Sequence, residues 1–381
     1  MRATMDRLTV KDALTVIGRT VKGRPSIPVL DTVHVEAYDR RITFTASNMS
    51  DTVRVTVDAT DVENGSVLID RKTLAGIVKN GPDTVTVTAD TDGVTFGPVS
   101  LPVTFPVSDF PTLPEPGRFA GALTAADRET LGTVSRFAST DDGRPVLTGA
   151  YFNGSEVAAT DSYRLATGDL STDALDGALV PARAVSVVGK WKVSDPSVQH
   201  GVAVHRTERL NLPETVTFAG TLTAGPKRAP RLIRVSYTVE TIEGTFPNYP
   251  KLIPARGDTD REALLVHVDR SGLLAALETV MPLAVQRPNT PVSLTLQGTV
   301  LALSVSVDGS EAAARVPVHV ENADRFGWSF GIAFNPTFLK DAVSALPEGP
   351  VSFTFRDALK PSRIDHVDRD GTALLMPMRV S

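Results

Sequence analysis

Asp365-His366 with Asp368, and Asp141-Asp142-Gly143, are the two places in this 381-residue chain where groups capable of acid–base or metal chemistry cluster. Carboxylates beside an imidazole can hold a metal ion or pass a proton. The wider pattern argues against both. The six histidines, His34, His200, His205, His267, His319 and His366, are scattered, and no pair stands at the helical spacing of a zinc protease. Cysteine is absent, so no disulfide and no thiolate zinc site can form, which fits a reducing compartment. No phosphate-binding loop, serine nucleophile elbow or dinucleotide glycine fingerprint is present. Asp-Gly reads better here as turn chemistry. The expectation is a protein without catalytic residues, metal or cofactor.

The cations are better organised. The chain carries 39 Lys and Arg against 44 Asp and Glu, a net charge of −5 that argues against tight gripping of nucleic acid. Its helix-like stretches do not share that balance. Arg7, Lys11, Arg19 and Lys22 accompany the first, and Arg71, Lys72 and Lys79 the second. Arg183, Lys190 and Lys192 accompany a later one with no acid between Pro181 and Lys192. Helices sharing one surface would make it positive on an otherwise acidic body. Such a surface attracts phosphates through counterion release without reading sequence. Each cation also has a plain surface reading, since long basic side chains pack their stems and keep a helix solvated.

The elements that must position these residues repeat. Arg24-Pro25, Arg144-Pro145 and Arg287-Pro288 each follow a helix-like stretch at domain-sized intervals. Each opens a strand-like run: Ile27-Pro28-Val29-Leu30, Val146-Leu147-Thr148-Gly149 and Pro291-Val292-Ser293-Leu294. Every third starts with a helix pattern. The first is Leu8, Ala13, Leu14, Ile17 and Val21. The second is Leu131, Val134 and Phe137, behind a capping box at Thr124 and Asp127. The third is Leu273, Leu274, Leu277 and Val280, capped by Asp269 or Ser271 and stopped by Pro282. A second short helix follows in each, opened by Asp70, Pro181 and Asn335-Pro336. The rest alternates with period two, as in Val85-Thr86-Val87-Thr88, with turns at Asn64-Gly65, Asp92-Gly93 and Asp308-Gly309. The expected fold is α+β: three repeated domains, 1–118, 119–254 and 255–381, each with two helices packed on antiparallel sheets. Pro-rich joints, Asp109 to Pro116 and Phe246 to Pro254, would be stiff. No apolar core of signal length lies between Met1 and Val10. No run nears the ~20 apolar residues of a membrane span, so a cytoplasmic protein with no membrane partner is expected.

The residues resemble the bacterial DNA polymerase III beta subunit family, the beta sliding clamps, over essentially the whole chain. Six motifs carry the resemblance: Arg24-Pro25 through Leu30, Arg144 through Gly149, Ala159 through Ala166, Glu243 through Tyr249, Phe334 through Leu339, and Leu375-Met376-Pro377-Met378-Arg379-Val380. Ser162-Tyr163 and the surroundings of Pro361 look most like actinobacterial members. The resemblance implies clamp domains in a ring-shaped, head-to-tail homodimer with helices lining the hole. It implies a non-catalytic processivity factor around double-stranded DNA. A clamp-loader ATPase would open the ring. The DNA polymerase III alpha subunit, other polymerases and repair proteins would dock through a short peptide with a glutamine and apolar anchors.

Carried over residue by residue, the peptide groove would be lined by Leu147, Thr160, Ser162, Tyr163, Arg164, Leu165, Pro247, Lys251, Leu252, Pro361, Leu374, Met376, Met378 and Arg379. Apolar anchors supply affinity, and two Met side chains can repack around different peptides. The plainer reading makes Leu374 to Met378 a C-terminal core strand. Family position puts the dimer interface at Leu101 and Val103 against Leu273, Leu277, Leu283 and Ala284, all of them also ordinary core types. Arg24 takes the place of a basic DNA contact. Arg7, Lys11, Arg19, Arg71, Lys72, Arg136, Lys190 and Lys192 are DNA candidates from charge pattern alone. The groove departs from the family at Ser162, where many relatives have Gly, at Tyr163, where many have His, and at Lys251, where Arg is common. Two alternatives stay open at this level: a diverged second-copy clamp tolerant of a groove-binding inhibitor, and a monomeric peptide-binding adaptor.

Overall fold

The computed structural model describes all residues except 24, 91–92, 194–200, 209–213, 227, 255–262, 323–328, 369–370 and 380–381. Arg24, Asp92, His200 and Val380 thus lie outside the described residues. The described chain is α+β. Its helices are α1 (Arg7–Thr20), α2 (Arg71–Asn80), α3 (Ala125–Val134), α4 (Ala182–Gly189), α5 (Arg270–Ala284) and α6 (Pro336–Ala345), set among antiparallel strands.

Local side-chain chemistry fixes most helix starts. Asp6, Asp70 and Asp269 accept the N–H groups of Thr9, Thr73 and Gly272 at 2.7, 2.8 and 2.8 Å. Asn335 accepts from Thr337 and Phe338, with Pro336 at the first helical position. At α3 the capping box is reciprocal. Thr124 N–H donates to Asp127 at 2.7 Å, and Asp127 N–H donates to Thr124 Oγ1 at 3.2 Å. Such caps are worth about 1 kcal/mol each.

Two local expectations are corrected. Pro282 lies inside α5, which runs on to Ala284 and closes with Val285 N–H on the Met281 carbonyl at 3.0 Å. A proline near the end of a helix removes one hydrogen bond without ending it. The first two Arg-Pro motifs open one-turn 3-10 helices, Pro28–Asp31 and Pro145–Thr148, rather than strands. Proline in the first turn presets φ for the helical turn. The third motif does lead into a strand, Val292–Gln297.

The chain forms two compact units. The first comprises Met1–Glu129 and Ser171–Glu243. Its larger sheet has the strand order 118–123, 202–207, 215–224, 231–240, 51–58, 41–47, 32–38, 65–70. Strand Asp51–Asp58 therefore pairs with Arg231–Glu240, far along the chain, with Val55 opposite Val235 and Val53 opposite Tyr237. Asp51 seals this seam. Fully buried, it accepts Tyr237 Oη–H at 2.6 Å, Asn48 Nδ2 at 3.0 Å and the Arg183 guanidinium. Val10, Ala13 and Ile17 of α1 and Leu74 and Val78 of α2 are buried in this unit's core. Its second sheet runs 60–63, 2–6, 84–89, 93–96 and ends on Val99–Pro102.

The second unit comprises Thr130–Leu170 and Gly244–Ser381. Its strands follow the order 149–153, 156–160, 164–169, 372–375, 362–366, 350–355, 264–269, 310–321, 300–307, 292–297, 329–334. Here again a distant pair makes a seam: Arg164–Asp169 pairs with Thr372–Leu375, Leu165 opposite Leu374. The hairpin at Asp308-Gly309 places both residues at positive φ, 52° and 79°, the twist a two-residue turn requires. Strand Ser310–Glu321 meets Leu264–Asp269 only from Val318 to Glu321. Among the described residues, 310–317 thus presents an open edge on that side.

Candidate functional site

The hairpin of strands Glu156–Thr160 and Arg164–Asp169 organises the candidate groove. Its turn is built from side-chain bonds. Asp161 Oδ1 accepts the N–H groups of Tyr163 and Arg164, both at 2.9 Å, and Thr160 Oγ1 donates to the Arg164 carbonyl at 2.7 Å. Ser162 sits at φ 80°, where a Cβ is strained, and its Oγ accepts from Arg144 Nη1 at 3.0 Å. Arg144 in turn accepts the Leu147 N–H on its carbonyl at 2.9 Å, so the second Arg-Pro motif is tied to this turn. Leu165, Leu147 and Thr160 are buried, while Tyr163 is 61% exposed.

The C-terminal segment crosses beside this hairpin. Leu374 lies opposite both Leu165 and Arg363, and Met376 N–H donates to the Tyr163 carbonyl at 2.9 Å. Met376 remains 40% exposed. Two residues on, Met378 N–H donates to the Ala333 carbonyl at 2.7 Å on strand Ser329–Phe334. Met378 and Arg379 then line an open cleft of about 680 Å³ with Ile332, Ala333 and Leu359. The tail therefore serves two places: Met376 faces the hairpin, and Met378 and Arg379 face the edge of the sheet. Pro361 is half-buried just before Ser362, which pairs with Leu375.

Within the second unit, the segment that starts at Gly244 is held by aromatic packing. Phe246 stacks on Tyr151 at 5.2 Å and meets Tyr249 edge-on at 6.2 Å. Tyr249 Oη–H donates to Glu156, and Asn153 Nδ2 donates to Tyr249 at 3.5 Å. Burial, and then the bond to Glu156, pushes the Tyr249 phenol far above its ordinary value. Gly244 is at φ 134°, and a Cβ there would stand 2.5 Å from Val146. Pro247 is half-buried on this anchored segment, and Lys251 and Leu252 are exposed on the one-turn helix that follows.

Sequence reasoning missed the partners of Arg164. Its guanidinium lies 4.4 Å from the Phe338 ring centroid and 5.1 Å from that of Phe137, and it pairs with Asp161 and Asp341. Phe338 falls inside the Phe334–Leu339 motif already singled out, and Asp341 stands one helical turn further, so the signal was present.

The basic candidates divide by engagement. Arg7 is committed to Asp83 at 3.2 Å and to the Val78 carbonyl. Arg71 donates to the carbonyls of Val21 and Gly23 and lies 3.6 Å from Asp31, fixing the segment that leads to residue 24. Lys11, Arg19, Lys72, Lys190, Lys192 and Arg136 are exposed. In the first unit α1 packs on α2 and on α4, so five of these six cations decorate one group of helices and the chain just beyond α4; Arg136 belongs to the second unit.

Of the six expected interface residues, Leu101, on the last strand of its sheet, and Val103, just after it, are half-buried. Leu273, Leu277 and Ala284 are closed into the second unit's own core. Of the larger aliphatic side chains of α5 and its C-cap, Leu274, Met281 and Leu283 are half-buried and Val285 is exposed. The acid–histidine cluster is structural. His366 is buried, its Nε2 donating to the Glu348 carbonyl at 3.1 Å and its Nδ1 accepting from Asp368 N–H at 3.0 Å. Asp365 holds Arg363 at 2.8 Å and Thr372 at 2.8 Å.

Comparison with known proteins agrees with this architecture. Residues 1–114 match the family model for the DNA polymerase III beta subunit, N-terminal domain, and residues 252–379 match that for its C-terminal domain. The chain is 28% identical to the beta sliding clamp of Streptomyces coelicolor, over 100% of both chains. It is also 28% identical to the beta sliding clamp homolog GriR of Streptomyces muensis, over 100% of this chain and 99% of that one. In fold it is similar to the DNA polymerase sliding clamp of Bacillus subtilis, with TM-score 0.81 at 20% identity, and to the Bartonella birtlesii clamp bound to griselimycin, with TM-score 0.79 at 24% identity, each over 100% of both chains. With domain models at both ends and full-length relatives between, the chain belongs to the DNA polymerase III beta subunit family, the beta sliding clamps.

Proposed function

We propose that this chain is a non-catalytic DNA sliding clamp: two copies close head to tail around duplex DNA and tether polymerases and repair proteins through the groove at Tyr163, Leu165, Leu374 and Met376. The pattern of seams carries the reading. Take the chain as three repeats, 1–118, 119–254 and 255–381. In each, the third strand after the long helix is 51–58, 164–169 or 310–321, and the last strand is 99–102, 231–240 or 372–375. Strand 51–58 joins the last strand of the second repeat, and 164–169 joins the last strand of the third. The pair left over is 310–321 and 99–102, at opposite ends of the chain. A second copy placed head to tail satisfies both, and the assembly closes with no unpaired end.

In this reading Lys11, Arg19, Lys72, Lys190 and Lys192, with Arg24, orient the duplex through weak phosphate attraction, and Arg7 and Arg71 tie α1 to α2. Retention comes from topology, so neither tight contacts nor base reading is required. A loader ATPase opens the ring, and the setting is the cytoplasm. No helix among the described residues is long and apolar enough to cross a membrane. The direct test is mass in solution. The chain should sediment at twice its 40.6 kDa, and Leu101→Asp should shift it to one chain's mass. A parent protein of single-chain mass would favour the monomeric adaptor.

A further inference from the structure

Arg164 is among the groove residues, yet little of it is free to meet a ligand. Its side chain is 11% exposed. Nε donates to Asp161 at 2.9 Å, Nη1 to Asp341 at 2.5 Å and Nη2 to the Arg136 carbonyl at 2.9 Å. A guanidinium has five N–H donors, so these three bonds commit most of its capacity. The Phe338 and Phe137 rings lie over it, and the Tyr163 ring stands 6.4 Å from that of Phe338. One cation thus gathers three separate stretches of chain: 136–137, 161–164 and 338–341.

The two contributions from α6 are not independent. Phe338 and Asp341 are three residues apart, which puts the ring and the carboxylate on one face of the helix. Asp161 holds only the Nε end, and it belongs to the same turn as Arg164. Asp341 holds the far end and ties it to α6. Without that carboxylate the Nη1 end of a largely buried cation loses its charged partner, which is unfavourable enough to make the side chain seek another. The backing of Phe338, and with it the exposed Tyr163 ring, would then be lost.

We propose that Asp341, which lies outside the groove, is a positioning residue for peptide binding: through Arg164 it fixes the Phe338–Tyr163 wall in its receptive geometry. The inference rests on the groove reading given above. Arg164 itself acts as a brace of the wall.

The test uses the full-length protein and a short synthetic peptide carrying a glutamine and apolar anchors. Affinity is measured by titration for the parent, Asp341→Ala, Asp341→Glu and, in parallel, Met376→Glu. Asp341→Ala should weaken binding roughly tenfold, with oligomeric mass unchanged and the protein still fully folded at the titration temperature. Asp341→Glu should restore affinity to within about threefold of the parent, because a carboxylate is again within reach; a purely structural role for the helix surface would not show that rescue. Parental affinity in Asp341→Ala, with binding lost in Met376→Glu, overturns the inference and leaves the groove standing. Equal weakness in the Ala and Glu variants also overturns it, since the carboxylate would then not be the cause. If Met376→Glu binds normally, the groove reading and this inference fall together.

Discussion

Removing the single hydroxyl of Tyr237 should loosen the seam between strands 51–58 and 231–240 without disturbing anything else. Tyr237 is 1% exposed, and its Oη–H reaches a fully buried Asp51 at 2.6 Å. Phenylalanine keeps the ring and leaves no cavity, so the loss is confined to one hydrogen bond to a charged acceptor, about 2 kcal/mol. Asp51 retains Asn48 and Arg183, so the carboxylate is not left alone. For a body the size of the first unit this corresponds to a fall in melting temperature of about 4 to 8 °C. Burial first, then the Asp51 charge, pushes the Tyr237 phenol well above its ordinary value. A raised phenol favours the protonated donor in the folded state. The stabilisation is therefore complete below about pH 10 and fades only as pH rises beyond it. Calorimetry at pH 7 on the parent, Tyr237→Phe, Arg183→Ala and the double variant is the assay. The two single changes should not add, because they share Asp51. A Tyr237→Phe melting temperature within about 1 °C of the parent would refute the reasoning.

Three further outcomes are expected. Ser162→Gly should raise the melting temperature slightly, since φ 80° strains a Cβ by about 1 kcal/mol while the lost Arg144 contact is exposed; a lower value would mean the contact outweighs the strain. Burial raises the Asp127 carboxyl, but bonds from Ser171 and Thr124 more than reverse this and leave it below its ordinary value. A lowered carboxyl stabilises above about pH 4 and loses that effect as pH falls through the folded value. The stability gap between parent and Asp127→Asn should therefore be full at pH 7 and shrink on acidification; an equal gap at pH 3 would contradict it. Met376→Glu should abolish peptide binding and leave the dimer intact, checked by titration and sedimentation.

The sequence announced its helices through caps and period, and the structure agrees at Asp70, Thr124–Asp127, Asp269 and Asn335-Pro336. These signals are local, and local chemistry decides them. The first two Arg-Pro runs misled because apolar residues after a proline satisfy a one-turn 3-10 helix as well as a strand, and no periodicity separates the two over four residues. The candidate groove is a roster in the sequence and not an arrangement. Leu165 and Leu374 are far apart in the chain, and only strand pairing shows that they face each other. The contacts of Arg164 were legible only in part: Phe338 and Asp341 stand in or beside a motif the sequence marks, but their pairing with Arg164 and with the Arg136 carbonyl joins different segments. Burial was the hardest feature to read. Leu273 and Leu277 look like any interface leucines, and nothing short of the helix's packed face distinguishes them from Leu274.

Retention on DNA tests the central claim most directly. The protein is loaded onto nicked circular duplex with an active loader, washed at high salt, and the DNA is then cut. A closed ring predicts retention through the wash, because topology does not depend on ionic contacts, followed by loss when the ends are freed. Binding that fades steeply with salt, as phosphate contacts do, and that ignores cutting would contradict the account.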